Sequence, residues 1–130
     1  MKEKVILCID DEKMVLNSLK SQLTKNLGEE FIYEFAEDAF EALALIDELI
    51  NENLVILLIV SDWLMPGMKG DEFLTKVNEK YPNIKSILLT GQADEESIKL
   101  AYKNANLLSC IRKPWDENYL IETVKSAINS

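Results

Sequence analysis

The sequence predicts an α/β domain in which a parallel sheet carries helices on both faces. Three observations lead there. Short apolar runs alternate with helical stripes along all 130 residues. The run 54–60 is apolar throughout, as in a central parallel strand covered on both sides. The connections are short, which suits β-α units wound by right-handed crossovers.

The elements follow in order. Residues 5–9 form a short run rich in strand formers. Leu16, Leu19, Leu23 and Leu27 recur at helical spacing, and Gly28 stands where a helix C-cap belongs. Phe31, Tyr33 and Phe35 alternate like a second strand, although this stretch could also merge into the next helix. That helix carries Ala39, Ala42, Leu43, Ile46 and Ile50 and breaks at Asn51-Glu52-Asn53. The third strand, 54–60, leads into Ser61-Asp62 and a Pro/Gly loop, 65–70. Phe73, Leu74, Val77 and Tyr81 stripe a third helix that stops at Pro82-Asn83. Residues 84–89 are a fourth strand. Asp94 caps a fourth helix bearing Ile98, Ala101, Tyr102 and Ala105. A fifth strand, 107–111, and a last helix with Leu120, Val124 and Ile128 on one face complete a single expected domain, 1–130.

Composition removes several functions. The net charge of −9 leaves no basic face for direct nucleic-acid binding. With no histidine in the chain, serine–histidine triads are excluded, and any metal site must rely on oxygen ligands, which favours Mg²⁺, Ca²⁺ or Mn²⁺ over zinc. Cys8 and Cys110 lie inside apolar runs without metal or redox spacing, so both are expected to be buried free thiols in a reducing cytoplasm. Met1-Lys2-Glu3-Lys4 leads straight into a strand, with no signal-peptide core, and no apolar run is long enough to span a bilayer.

The chemistry gathers at the strand ends. Asp10 and Asp11 close the first run, Asp62 the third, Thr90 the fourth, and Lys113 follows the fifth. In an open parallel sheet these ends share one edge, and sites form there. Adjacent carboxylates repel each other and resist burial, a cost that a divalent cation relieves. Their plain alternative is helix capping, with Asp11 starting the first helix. Asp62 can be a metal ligand, a nucleophile that forms an acyl phosphate, or a simple strand-end cap. Thr90 offers a hydroxyl, and Gly91 beside it gives the backbone room. Three carboxylates balance one Mg²⁺ and one lysine, and that set can hold a transferring phosphoryl group.

Ile9-Asp10-Asp11-Glu12, Ser61-Asp62-Trp63-Leu64-Met65-Pro66-Gly67-Met68-Lys69-Gly70, Leu89-Thr90-Gly91 and Lys113-Pro114-Trp115 together resemble a bacterial response-regulator receiver domain, over essentially the whole chain. The resemblance implies a flavodoxin-like (βα)5 fold of strand order 2-1-3-4-5. It implies Asp62 as phospho-acceptor, and Asp10, Asp11, Asp62 and the Leu64 carbonyl as ligands for Mg²⁺, with Mn²⁺ as a substitute. It also implies Lys113 as the phosphate contact before a cis Pro114, and Thr90 as the switch hydroxyl. The donor would be a histidine kinase or histidine phosphotransfer protein, or a small acyl phosphate. Phosphorylation would remodel the segment after the fourth strand and the surface of the fourth helix, fifth strand and last helix, where Tyr102 and Tyr119 could serve a partner or a homodimer. The expected protein is cytoplasmic and touches neither membrane nor DNA. It is not an enzyme beyond its own Mg²⁺-dependent phosphorylation and autodephosphorylation. The Lys113-Pro114-Trp115-Asp116 ending resembles receivers fused to output modules such as cyclic-dinucleotide phosphodiesterases, so the receiver acts alone or within a longer protein.

Two features matter beside the family pattern, one at Cys110 and one at the pair Leu64 and Gln92. Cys110 stands where Tyr or Phe is usual, three residues before the lysine, and a thiol cannot sweep the volume of a switching ring. Trp115 or Tyr102 is the expected substitute. Leu64 and Gln92 hold the variable places flanking the phosphoryl group, with Gln92 placed to orient a hydrolytic water. Other readings have less support. An aspartate-nucleophile phosphatase needs a second acid where Leu64 stands. A flavin module needs glycines where Asp10-Asp11-Glu12-Lys13 stand. A degenerate receiver acting as a phosphorylation-independent scaffold draws support only from Cys110.

Overall fold

The computed structural model describes residues 2–92 and 94–130; Met1 and Ala93, within the expected span 1–130, lie outside them. Five strands, β1 (Lys4–Ile9), β2 (Ile32–Ala36), β3 (Val55–Asp62), β4 (Lys85–Thr90) and β5 (Leu107–Arg112), alternate with five helices. These are α1 (Lys13–Leu27), α2 (Ala39–Asn51), α3 (Gly70–Lys80), α4 (Glu95–Asn104) and α5 (Glu117–Ile128). The strands pair in parallel in the order β2-β1-β3-β4-β5, which is the doubly wound order expected.

Period-two alternation sorts each strand's side chains between two cores. In β1, Val5, Leu7 and Ile9 face α2, α3 and α4, where Ala42, Ile46, Phe73, Leu74, Val77 and Ala101 meet them. Ile6 and Cys8 face the other way, onto Leu16, Leu19 and Leu23 of α1 and Leu120 and Val124 of α5. Phe31, Tyr33 and Phe35 are half-buried on this second side. The ambiguous stretch is therefore a strand, with only its α1/α5 face aromatic. Covered on both faces, β3 is apolar almost throughout, as its sequence requires.

Caps set the boundaries. Gly28 ends α1 at φ +77, a conformation open to glycine, and its N–H reaches the Thr24 carbonyl. Asp94 caps α4 by accepting from the Ser97 amide at 2.7 Å. One alternative falls and one expectation needs correction. Asp11 does not cap α1: the cap position is Glu12, whose amide donates to Asp10 Oδ1 at 2.9 Å, and Asp11 is left exposed. In α4 the expected stripe is thin. Ala101 is fully buried, while Tyr102 is 49% exposed, because the helix packs on the small residues Ala101 and Ala105 and leaves the ring outside.

Candidate functional site

Parallel pairing brings the C-terminal ends of β1, β3, β4 and β5 to one edge. Register fixes their relative heights: Ile9 pairs with Ser61, Asp62 with Leu89, and Thr90 with Arg112. Asp62 and Thr90 are the last residues of β3 and β4, and Asp10, Asp11 and Lys113 stand just past the ends of β1 and β5. β3 runs two residues further than its apolar stretch, so Asp62 sits on the rigid strand rather than in the loop after it.

The carboxylates converge. Asp10, Asp11 and Asp62 each place an oxygen so that all three lie within 4.8 Å of one another. Asp10 is fully buried and Asp62 is 4% exposed, while Asp11 faces solvent. Lys113 spans the buried pair, its Nζ lying 2.7 Å from Asp10 Oδ2 and 2.9 Å from Asp62 Oδ1. Burial pushes the Asp62 carboxyl up to about 6; Lys113 opposes this, and the charges of Asp10 and Asp11 add to it. For Lys113, burial works against its charge, but the bonds to Asp10 and Asp62 win and hold its pKa above the usual lysine value. Three carboxylates against one ammonium leave two uncompensated negative charges, equal and opposite to one divalent cation. All-oxygen, mostly buried donors suit a hard cation. The donor set therefore fits the metal that the sequence suggests.

Thr90 is 5% exposed. Its Oγ1 accepts the Gln92 amide at 3.0 Å, and its carbonyl accepts the Lys113 amide at 2.8 Å, tying the β4 end to the lysine. The Lys113–Pro114 bond is cis. Leu64, in the loop 63–69, is 48% exposed between buried Trp63 and Met65. An apolar hollow of about 570 Å³ lies at the opposite edge of the sheet, lined by Leu54, Tyr81, Ile84 and Ile128 among others, far from this chemistry.

Sequence reasoning missed how the loop 63–69 is held. The Trp63 indole N–H donates to Asp71 Oδ1 at 2.7 Å, and the Lys69 ammonium stands 4.9 Å over the ring. The loop closes at its neck, where the Gly70 amide donates to the Trp63 carbonyl at 2.7 Å. A Cβ at Gly70 would lie 2.3 Å from the Asp62 carbonyl oxygen, so the position demands glycine for space. The detectable signal was a tryptophan directly after Asp62 at the end of β3 and an acid directly after Gly70.

The other expected residues separate. Cys8 is fully buried, with its thiol pushed up to about 12 by burial. Cys110 is only half-buried, which corrects the expectation of two buried thiols: β5 is the edge strand, and one of its faces is only partly covered. Trp115 donates to Gln22 Oε1 at 2.8 Å and so is committed to α1. Tyr102 stands beside Cys110 and Tyr119; burial, then the Cys110 charge, raises its phenol.

Comparison with known proteins follows the same lines. The response regulator receiver domain family matches residues 6–125. The hydrogenase transcriptional regulatory protein HoxA of Cupriavidus necator is 34% identical over 129 residues, 99% of this chain and 25% of HoxA. A chemotaxis protein CheY homolog of Campylobacter jejuni is 30% identical over 127 residues, 96% of this chain and 92% of the homolog. The crystal structure of a CheY-like response regulator receiver domain protein from Methanospirillum hungatei superposes with a TM-score of 0.84 at 31% identity, covering 98% of this chain and 95% of that one. The chain thus spans about a quarter of HoxA and nearly all of the CheY homolog.

Proposed function

This chain belongs to the response regulator receiver domain family of two-component signalling, and from that premise we propose that Asp62 accepts a phosphoryl group from a phosphohistidine partner in a Mg²⁺-dependent reaction. One observation carries the reading: three carboxylate oxygens lie within 4.8 Å of one another, with Lys113 bonded to two of the carboxylates. An Asp62 oxygen attacks phosphorus, a P–O bond forms, the P–N bond breaks, and the imidazole leaves with the electron pair. The donor is a histidine kinase or histidine phosphotransfer protein, consistent with a chain that has no histidine of its own.

Asp10, Asp11, Asp62 and the Leu64 carbonyl would hold Mg²⁺, or Mn²⁺ in its place. When bound, the cation supplies positive charge to the phosphoryl oxygens. Lys113 leaves its carboxylate partners in part to meet the phosphoryl group, and Thr90 provides the hydroxyl contact that biases the segment after β4. Phosphorylation then favours one pre-existing arrangement of the α4–β5–α5 surface through these differential contacts. Leu100, Tyr102, Leu108 and Tyr119 are large apolar side chains exposed there, which supports a role in partner binding or homodimer formation. HoxA is about four times longer than the matched segment, which supports a fused output module in a longer protein. We place the protein in the cytoplasm, without direct nucleic-acid contact, and assign it no activity on other molecules. No helix among the described residues is long and apolar enough to cross a membrane. Cys110 in place of an aromatic residue is the one feature that favours a phosphorylation-independent scaffold instead.

Intact mass after incubation with Mg²⁺ and acetyl phosphate tests the reading. One added phosphoryl group is expected, absent from Asp62→Asn and absent without Mg²⁺. No adduct, together with no binding of Mg²⁺, would overturn it.

A further inference from the structure

We propose that Asp71 is a positioning residue which, through the Trp63 indole, fixes the backbone of the loop that follows the acceptor strand. The inference rests on the reading of that loop as a provider of a metal-binding carbonyl at Leu64.

Several independent restraints meet at Trp63. Its amide donates to the Leu89 carbonyl at 2.9 Å, continuing the β3–β4 ladder one residue past Asp62. Its carbonyl accepts the Gly70 amide at 2.7 Å. The side chain is 6% exposed, and its one polar atom is committed to Asp71 Oδ1 at 2.7 Å. Lys69 lies over the ring face at 4.9 Å. An indole held only by packing could slide along its own plane. A hydrogen bond at the edge and a cation on the face remove that freedom. Leu64 is the next residue, and Met65 beyond it is 4% exposed, so the backbone at Leu64 is pinned from both sides.

Asp71 sits in the first turn of α3, where an acid is favourable for the helix alone. That simpler account explains a carboxylate near the helix start. It does not require the carboxylate to meet the indole of the residue after the phospho-acceptor. The two accounts separate in a double-mutant cycle, because only the first runs through the indole N–H.

The experiment measures Mn²⁺ binding by electron paramagnetic resonance of the free ion, for the wild-type chain, Asp71→Ala, Asp71→Asn, Trp63→Phe and Trp63→Phe/Asp71→Ala. Each thermal midpoint is recorded alongside. Asp71→Ala is expected to weaken Mn²⁺ about threefold to tenfold, the worth of one well-made hydrogen bond. Asp71→Asn, which keeps an acceptor oxygen, is expected to stay within about twofold. In the Trp63→Phe background Asp71→Ala should add nothing. Unchanged Mn²⁺ affinity in Asp71→Ala, even with a lower thermal midpoint, overturns the proposal, as does a loss that persists in the Phe background. Both results would leave the receiver reading standing. Failure of the wild-type chain to bind Mn²⁺ would remove that reading and this inference together.

Discussion

Lys113 Nζ lies 2.9 Å from Asp62 Oδ1 although β4 stands between their strands. The lysine reaches over the end of β4 and also holds Asp10. Removing one partner from a buried ion pair costs more than the pair contributes, because the remaining charge keeps its desolvation penalty. Lys113→Met should therefore lower the free energy of urea unfolding by about 3 kcal/mol near pH 7 without divalent metal. Near pH 4.5 the loss should shrink, because Asp62 then carries a proton for much of the time. Equal losses at both pH values would mean that the lysine stabilises the fold through Asp10 rather than through Asp62.

The same pocket makes stability depend on pH with a sign opposite to that of most carboxylates. Asp62 is raised from 3.8 to about 6, so between those values the folded chain binds a proton that the unfolded chain has released. Stability from this group is full below about pH 4 and is lost as pH rises through about 6, by on the order of 3 kcal/mol. Exposed acids such as Asp94 and Glu117 are shifted down and pull the other way, so the readout is a difference. Without metal, Asp62→Asn should gain stability over wild type as pH rises from about 4 to about 7. Mg²⁺ should cancel that gain by favouring the ionised form. A constant difference across the range would place the Asp62 carboxyl near its ordinary value.

Much of this was legible in the sequence because parallel sheets couple pattern to position. An apolar run ending in an acid places that acid at the sheet edge, so Asp10, Asp62, Thr90 and Lys113 converge from order alone. What stayed hidden depended on side-chain packing. Nothing in the spacing of Trp63 and Asp71 says that the indole turns toward α3, since the loop between them has no period. Asp11 reads as a helix cap until Glu12 takes that place and Asp10 bonds the Glu12 amide. Tyr102 fits a helical stripe, but α4 buries only its small residues against the sheet side, and the stripe rule cannot tell a core ring from one at the margin.

Gly70 and Gly91 form a matched pair for testing space. A Cβ at Gly70 would meet the Asp62 carbonyl at 2.3 Å, Trp63 Cα at 2.9 Å and Leu88 Cδ1 at 3.0 Å, while one at Gly91 meets nothing within 4 Å. Backbone cannot move aside as a flexible side-chain tip can. Gly70→Ala should cost about 2–3 kcal/mol in urea unfolding and weaken Mg²⁺ binding by displacing the β3 end. Gly91→Ala should change stability by no more than about 0.5 kcal/mol. If the two substitutions cost the same, the close approach at Gly70 is not what the fold requires.

The lifetime of the phosphorylated form should depend on Gln92. Its amide is held by Thr90 Oγ1 at 3.0 Å, which fixes the backbone beside the β4 end while the side chain stays exposed. A carboxamide there can hold a water by both donor and acceptor. On the other flank, Leu64 is apolar and 48% exposed and can shield the phosphoryl group but not align water. One aligning group instead of two predicts autodephosphorylation that is measurable but not fast. Gln92→Ala should slow it about tenfold, the scale of losing one positioned contact in the transition state. Leu64→Asn should speed it by supplying the missing polar group. Decay of the phosphorylated mass after removal of acetyl phosphate measures both. An unchanged rate in Gln92→Ala would assign the water to another group, and a slower rate in Leu64→Asn would show that the leucine is not the shield.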